Sequence, residues 1–167
     1  LAAYYSKGCD SKELFSDKKI ADCESYEKHR NKYHVLYLNM QEFLSKSKSV
    51  EEMFSIISRL FVKEAKKEFP EIEFFSETDL DWCVADVYQE SQIPFVILID
   101  EWDCIFRVYK ENKKEQEKYL DLLRGLLKDK AYVALAYMTG ILPIKKYGTH
   151  SALNMFDEYA MTDPGAL

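Results

Sequence analysis

The chain has 167 residues, of which 47% are hydrophobic and 31% charged, which suits one domain with its own core and excludes a disordered chain. With 23 Lys and Arg against 29 Asp and Glu, the formal net charge is −6. This acidic balance argues against a protein that binds nucleic acid through non-specific phosphate contacts.

Apolar runs and cysteines bear on where the protein works. The longest apolar runs, near residues 95–99 and 133–138, have the length of strands and fall far short of the roughly 20 residues that span a bilayer. No membrane association is therefore expected. The four cysteines are scattered without a CxxC pair, which is typical of free thiols in a reducing compartment. The sequence thus predicts a cytoplasmic protein.

Strand-like runs occur at three places along the chain. Residues 33–40 (YHVLYLNM), 95–99 (FVILI) and 132–138 (YVALAYM) are apolar and of strand length. The middle run is continuously apolar rather than alternating, which is typical of a strand covered on both faces in a parallel sheet. Helical connections between such strands favour parallel pairing. We therefore expect a parallel sheet.

Amphipathic helices are predicted between the strands. Residues 50–65 carry apolar side chains at helical spacing, and Pro70 ends that stretch. A second helix is expected from Leu80 onward, a third over residues 114–128, and a short last helix over residues 151–159. Helical crossovers between buried strands define an α/β fold with right-handed βαβ units.

Polar residues follow the predicted strands at their carboxyl ends, where ligands bind in sheets of this kind. These residues are Asn39, Asp100, Glu101 and Thr139. Asp100 and Glu101 come directly after FVILI, which is the arrangement of a Walker B element. The first carboxylate would hold the water shell of Mg²⁺, and the second would polarise a water for attack on a γ-phosphate. The pattern is short, and acidic residues also mark where a strand emerges into solvent.

Positive charge and a phosphate cradle are the other parts of a nucleotide site. Arg107, Arg124, Lys145 and Lys146 could supply charge, and Lys145 is the main candidate because it follows Thr139 by one short loop. The phosphate-binding pattern GxxxxGK[ST] does not occur in the sequence. The residues therefore predict the hydrolytic half of a nucleotide site without its cradle.

Three stretches resemble the bacterial AAA-ATPase-like family of predicted P-loop ATPases: FVILIDEWDCIFR, YLDLLRGLLKDK and VALAYMTGILPIKKYGTHSALNMFDEYAMTDPG. The resemblance covers nearly the whole chain. It implies a three-layer P-loop NTPase-like α/β core, with the three strands adjacent in chain order and the phosphate-loop strand missing. It also implies that Asp100 orders Mg²⁺ through water, that Glu101 activates the attacking water, and that Thr139 senses phosphate.

The same resemblance bears on what surrounds the sequence. In the family, the phosphate loop is followed by a helix, and residues 1–7 resemble the end of that helix. Residues 1–167 are therefore expected to be a single partial domain and an internal fragment. Many members carry a PD-(D/E)xK nuclease-type domain further along, so nucleic acid is expected to bind only through absent parts of the parent protein. ATP and Mg²⁺ are the cofactors implied for the parent, and neither is expected to bind this chain tightly.

The residues leave two interpretations of function open. The first is the core of an ATP-hydrolysing domain, and the second is a catalytically silent interaction or regulatory module with the same fold. A nucleic-acid-handling module has little support in an acidic chain. In the family's sheet the phosphate-loop strand lies beside Val133–Met138. We therefore expect this edge to support self-association, to be covered by the chain's own terminus, or to cause aggregation.

Overall fold

The computed structural model describes residues 1–143 and 153–159, which form helices around a three-stranded sheet. Within these ranges, no helix combines the length and the apolar character needed to cross a membrane. The elements, in chain order, are α1 (Ala2–Tyr5), α2 (Lys12–Phe15), a 3-10 turn (Lys19–Asp22), α3 (Tyr26–His29), β1 (His34–Asn39), α4 (Met40–Leu44), α5 (Val50–Glu68), α6 (Leu80–Ser91), β2 (Phe95–Asp100), α7 (Cys104–Val108), α8 (Lys113–Leu127) and β3 (Val133–Met138).

The sheet is parallel, with the strand order β1-β2-β3. His34 pairs with Phe95 at one end of β1, and Asn39 pairs with Asp100 at the other. The central strand β2 is buried over residues 95–99, as its continuous apolar run predicted. The α/β class, the parallel pairing and the order of the strands are therefore confirmed.

Side-chain caps fix where the two long helices α5 and α8 begin. The Ser49 hydroxyl accepts a hydrogen bond from the amide of Glu52 at 3.2 Å, one residue before α5 starts. Asn112 does the same for α8, where its side chain accepts the amide of Glu115 at 3.2 Å. Such caps satisfy amides that have no partner inside the helix. The apolar sides of both helices join β2 in one core.

One face of the sheet is less covered than the other. Tyr37 in β1 is 56% exposed, and Leu135 and Tyr137 in β3 are 38% and 49% exposed. Tyr37 and Tyr137 both pair in register with Leu98, so all three side chains lie in one row on the same face. Within the described ranges β3 pairs with β2 alone, which leaves its outer edge unpaired there.

The prediction of a last helix over residues 151–159 is wrong for the residues of that stretch that the structure describes. Residues 153–159 form a turn followed by irregular chain. Leu153 is 2% exposed and packs into the core, and the amide oxygen of Asn154 accepts a hydrogen bond from Lys128 at 3.3 Å. Contacts of Leu153 and Asn154 with the rest of the fold therefore hold these residues.

Candidate functional site

The carboxyl ends of β2 and β3 bring Asp100 and Thr139 into contact. The Thr139 hydroxyl donates a hydrogen bond to Asp100 Oδ1 at 2.5 Å. The same oxygen accepts the amide of Glu101 at 3.0 Å, and the Tyr37 hydroxyl lies 3.3 Å from Oδ2. Donors in β1, after β2 and after β3 thus orient one carboxylate.

The backbone of Thr139 is held as firmly as its side chain. Its amide donates to the carbonyl of Ile99 at 2.8 Å, and its carbonyl accepts the amide of Trp102 at 3.1 Å. Backbone pairing between the two chain segments therefore continues past the end of β3. The position of Thr139 follows from strand pairing, which was the basis of its prediction.

Glu101 has different partners from Asp100. Its φ of 54° lies in the left-handed region, which costs a non-glycine residue about 1–2 kcal/mol. Its carboxylate forms an ion pair with Arg107 on α7. Two consecutive acids therefore have separate surroundings, so they are suited to separate tasks.

Arg107 also contacts a buried carboxylate at the start of α7. The side chain of Asp103 is 0% exposed, and its Oδ2 lies 3.5 Å from Arg107 Nε. That oxygen also accepts the amides of Ile141 at 3.3 Å and Leu142 at 3.1 Å. Asp103 Oδ1 has no hydrogen-bond partner within the described residues. Asp103 thus anchors the loop that follows β3 onto the segment that follows β2.

At Gly140 these two segments approach each other closely. A Cβ at this position would lie 2.6 Å from Trp102 Cδ1 and 2.7 Å from Asp103 Oδ1. Trp102 is 2% exposed, and its carbonyl accepts the hydroxyl of Tyr119 at 2.6 Å. Burial raises the pKa of Tyr119 well above its ordinary value, which keeps that hydroxyl protonated as the donor. Any side chain larger than glycine at position 140 would therefore displace a fixed wall.

Asn39, also expected at the carboxyl ends of the strands, has a structural role. It ends β1 and caps α4, where its Oδ1 accepts the amide of Glu42 at 3.0 Å. Lys145, the predicted phosphate contact, lies in residues 144–152, outside the described residues. Its role therefore stays a prediction.

A cavity of 340 Å³ opens beside Asp100 and Thr139. This volume is at the lower end of the range for small-molecule sites. The exposed tyrosines of β1 and β3 contribute to its walls, so the cavity lies on the less covered face of the sheet. Its lining residues are Leu1, Ala2, Tyr37, Leu98, Ile99, Asp100, Tyr137 and Thr139.

The oxygen donors at this edge suit Mg²⁺ held through water. Among the described residues, the one contact of Asp100 Oδ2 is with Tyr37 at 3.3 Å, which is long for a hydroxyl donor, so this oxygen can still accept from a metal-bound water. Across residues 1–143 and 153–159, no group of three or more His, Cys, Asp or Glu side chains is placed to hold a metal. Mg²⁺ commonly uses one or two carboxylates together with waters and substrate phosphates. The donors therefore fit Mg²⁺ that arrives with a nucleotide.

Three residues around the acids make contacts that the sequence patterns did not indicate. Tyr37 could have been found by counting strand positions, because it lies on the same face as Asp100. Arg107 is a candidate for phosphate contact from the sequence, and its ion pair with Glu101 was not predicted. Asp103 precedes α7 but makes no capping hydrogen bond there. Its spacing of four residues from Arg107 was the available signal.

Comparison with known families agrees with the sequence motifs. The family model described as "Predicted AAA-ATPase" matches residues 1–149. The chain therefore belongs to the AAA-ATPase-like family. Searches of curated proteins and of solved structures found no match for the chain.

Proposed function

We propose that the chain carries the hydrolytic half of a Mg²⁺-dependent ATPase site, with Asp100, Glu101 and Thr139 as its working residues. The hydrogen bond between Thr139 Oγ1 and Asp100 Oδ1 is the observation that supports this most directly. It joins a hydroxyl and a carboxylate at the edge where parallel α/β sheets bind ligands. Membership of a family described as predicted ATPases is independent support.

In this proposal Asp100 and Thr139 position the reacting groups. Asp100 Oδ2 would hold the water shell of Mg²⁺, an ion that neutralises charge on the transferring phosphate when bound. Thr139 keeps Asp100 Oδ1 occupied, so that Oδ2 is the oxygen available for metal-bound water. The fixed backbone of Thr139 would hold its hydroxyl within reach of phosphate or of the attacking water.

Glu101 is proposed to take the proton from the attacking water. In the ion pair with Arg107 the carboxylate already accepts a hydrogen bond from the guanidinium, so it is not free to face a water. The ion pair with Arg107 is therefore the resting arrangement in this proposal, and Glu101 leaves it to act. Arg107 keeps a second carboxylate partner in Asp103, which lies 3.5 Å away.

The alternative, a silent module with the same fold, is favoured by one observation. Both acids already have protein partners, Asp100 through hydrogen bonds and Glu101 through Arg107. Under this alternative the acids stabilise the turn after β2 and take no part in chemistry.

The setting and partners form part of the same proposal. Four free cysteines support a reducing, cytoplasmic compartment. Self-association is proposed through the outer edge of β3, and contact with nucleic acid is proposed only for other parts of a longer protein.

Replacing Asp100 by Asn in the product of the complete reading frame tests the proposal. The amide removes the charge that would order Mg²⁺, so we expect ATP turnover to fall and the Mg²⁺ concentration for half-maximal turnover to rise. The matched control is Asp121→Asn, an exposed carboxylate on α8. Unchanged turnover and Mg²⁺ dependence, together with a lower melting temperature in the absence of nucleotide, would assign Asp100 to the silent module.

A further inference from the structure

An exposed aromatic pair lies on α6 and the loop before it, and neither ring lines the cavity beside Asp100. The rings of Phe75 and Trp82 pack against each other with centroids 4.8 Å apart. Phe75 is 77% exposed and Trp82 is 49% exposed. Single exposed apolar residues are ordinary, but two packed rings form a continuous apolar surface. We call these two residues the Phe75–Trp82 surface.

The loop that carries Phe75 is tied to α6. The amide of Phe75 donates to Asp86 Oδ2 at 2.9 Å, and the thiol of Cys83 donates to the carbonyl of Ser76 at 3.0 Å. The Ser76 hydroxyl donates to Asp79 Oδ2 at 2.7 Å. These bonds fix the backbone that carries Phe75 before any partner arrives. A preorganised surface loses less entropy when it binds.

The net negative charge of the protein is concentrated around this surface. Residues 71–92 carry seven Asp or Glu and no Lys or Arg, whereas the rest of the chain has 22 Asp or Glu and 23 Lys or Arg. The segment includes both aromatic residues and the whole of α6. This segment is therefore more negatively charged than the whole chain, whose net charge is −6.

Lysines from neighbouring elements neutralise only part of this charge. Lys66 on α5 pairs with Glu77 at 2.6 Å, and Lys130 pairs with Asp81 at 3.2 Å. Four other exposed acids make no ion pair within the described residues. These acids are Glu71, Glu73, Asp79 and Glu90. The Phe75–Trp82 surface is thus apolar at its centre and negatively charged around it.

We propose that the Phe75–Trp82 surface binds a basic, amphipathic segment of a partner protein. Apolar side chains of that segment would cover the two rings, and its Lys and Arg would meet the surrounding carboxylates. A guanidinium also stacks favourably on an indole ring, which suits Arg over Trp82. The same charges repel nucleic acid and anionic lipid, so neither is the occupant.

The two tryptophans of the chain provide a direct assay. Trp82 is 49% exposed and Trp102 is 2% exposed, so a ligand on the surface changes the emission of Trp82 and leaves Trp102 as an internal reference. The probe is a synthetic peptide of about 15 residues, long enough to form a helix, with Leu at helical spacing, Lys and Arg elsewhere, and no aromatic residue. We expect a saturable blue shift of the Trp82 emission on titration into the 167-residue chain.

Matched variants and peptides separate docking from plain charge attraction. Phe75→Ala is expected to weaken binding about tenfold, as loss of a central aromatic anchor does. Leu14→Ala, which removes a side chain that is 59% exposed elsewhere, should leave binding unchanged. Trp82→Phe keeps an apolar ring and should retain binding by calorimetry without the blue shift. A scrambled peptide of the same composition should bind at least about tenfold more weakly, because its apolar side chains no longer share one face.

Several results would overturn the proposal. Equal binding of the regular and scrambled peptides, or an unchanged affinity in Phe75→Ala, would mean that the peptide binds through charge attraction alone. The absence of any emission change at millimolar peptide would exclude the surface as a docking site. Concentration-dependent shielding of Trp82 without peptide would identify a second copy of the chain as the occupant.

Discussion

Thr139 donates a hydrogen bond to Asp100 across 2.5 Å, although the two residues are 39 positions apart in the chain. Parallel pairing of β2 with β3 brings them together. The loop after Thr139 is held from the other side by Asp103 and by close packing at Gly140. Changes in that loop should therefore disturb the site even though they alter no acid.

Gly140→Ala is expected to destabilise the fold. The new methyl would lie 2.6 Å from the Trp102 ring, and forced packing of this kind costs about 1–3 kcal/mol. The free energy of unfolding, measured by urea denaturation, should fall by that amount. Gly125→Ala on α8 is the matched control, because a Cβ there would meet no described atom within 4 Å apart from its chain neighbours and the backbone of its own helix. In Gly125→Ala the free energy of unfolding should rise by about 0.5–1 kcal/mol. A Gly140→Ala variant as stable as the unmodified protein would show that the loop is not packed as described.

Asp103→Ala is expected to release the loop that follows β3. Two amides and Arg107 lose a buried partner, which costs about 1–3 kcal/mol of unfolding free energy for each group left unsatisfied. Hydrogen exchange at the amides of Ile141 and Leu142 should accelerate. The exposed Asp121→Ala should change stability by no more than about 0.5 kcal/mol. Unchanged exchange at both amides would mean that Asp103 does not anchor the loop.

The sheet could be predicted because its signal is local. FVILI is continuously apolar, and strands of this kind are buried on both faces whatever surrounds them. Asp100 and Thr139 follow from the same signal, since the ends of neighbouring parallel strands meet at one edge. The order of the strands came from the family resemblance.

The partners of the acids could not be predicted in this way. The ion pair of Glu101 with Arg107 depends on the left-handed backbone at Glu101, which a sequence pattern without glycine does not indicate. The burial of Asp103 depends on the amides of a loop 38 residues further along. The last helix was predicted wrongly for residues 153–159, because Leu153 follows a tertiary contact rather than a helical face.

The two pairs of cysteines should differ in reactivity. Cys9 and Cys23 are exposed, whereas burial raises the pKa of Cys83 and of Cys104 to about 12. Because the thiolate is the reactive form, an alkylating reagent at pH 8 should modify two cysteines in the native chain and four after unfolding. Mass spectrometry counts the adducts. Rapid modification of Cys104 in the native chain would contradict its burial.

The same buried thiols make stability depend on alkaline pH. Their folded pKa of about 12 lies above the ordinary value of 9.0, so the unfolded chain loses these protons first. Their contribution is therefore complete below about pH 9 and decreases as the pH rises toward 12. The free energy of unfolding, measured by urea denaturation, should fall between pH 8 and pH 10.5. This fall should be smaller in the double variant Cys83→Ala and Cys104→Ala.

Self-association is expected through the outer edge of β3. Among the residues that the structure describes, none pairs with this edge, so its amides and carbonyls are available to a second chain. Sedimentation should therefore show a concentration-dependent dimer, and Ala134→Lys, on an exposed position of β3, should weaken it. The control Leu60→Lys adds the same charge on α5, at a residue that is 47% exposed. A monomer at all concentrations would contradict this prediction.

Glu101→Gln in the product of the complete reading frame tests the central claim most directly, with ATP binding and phosphate release measured on the same samples. Glutamine keeps the size and the contact with Arg107 but cannot take a proton from water. The account predicts unchanged nucleotide binding and a fall in phosphate release of about 10²–10⁴-fold, the usual contribution of a positioned general base. Glu117→Gln, an exposed residue of α8, should behave as the unmodified protein does. Phosphate release by Glu101→Gln at the unmodified rate would contradict the account.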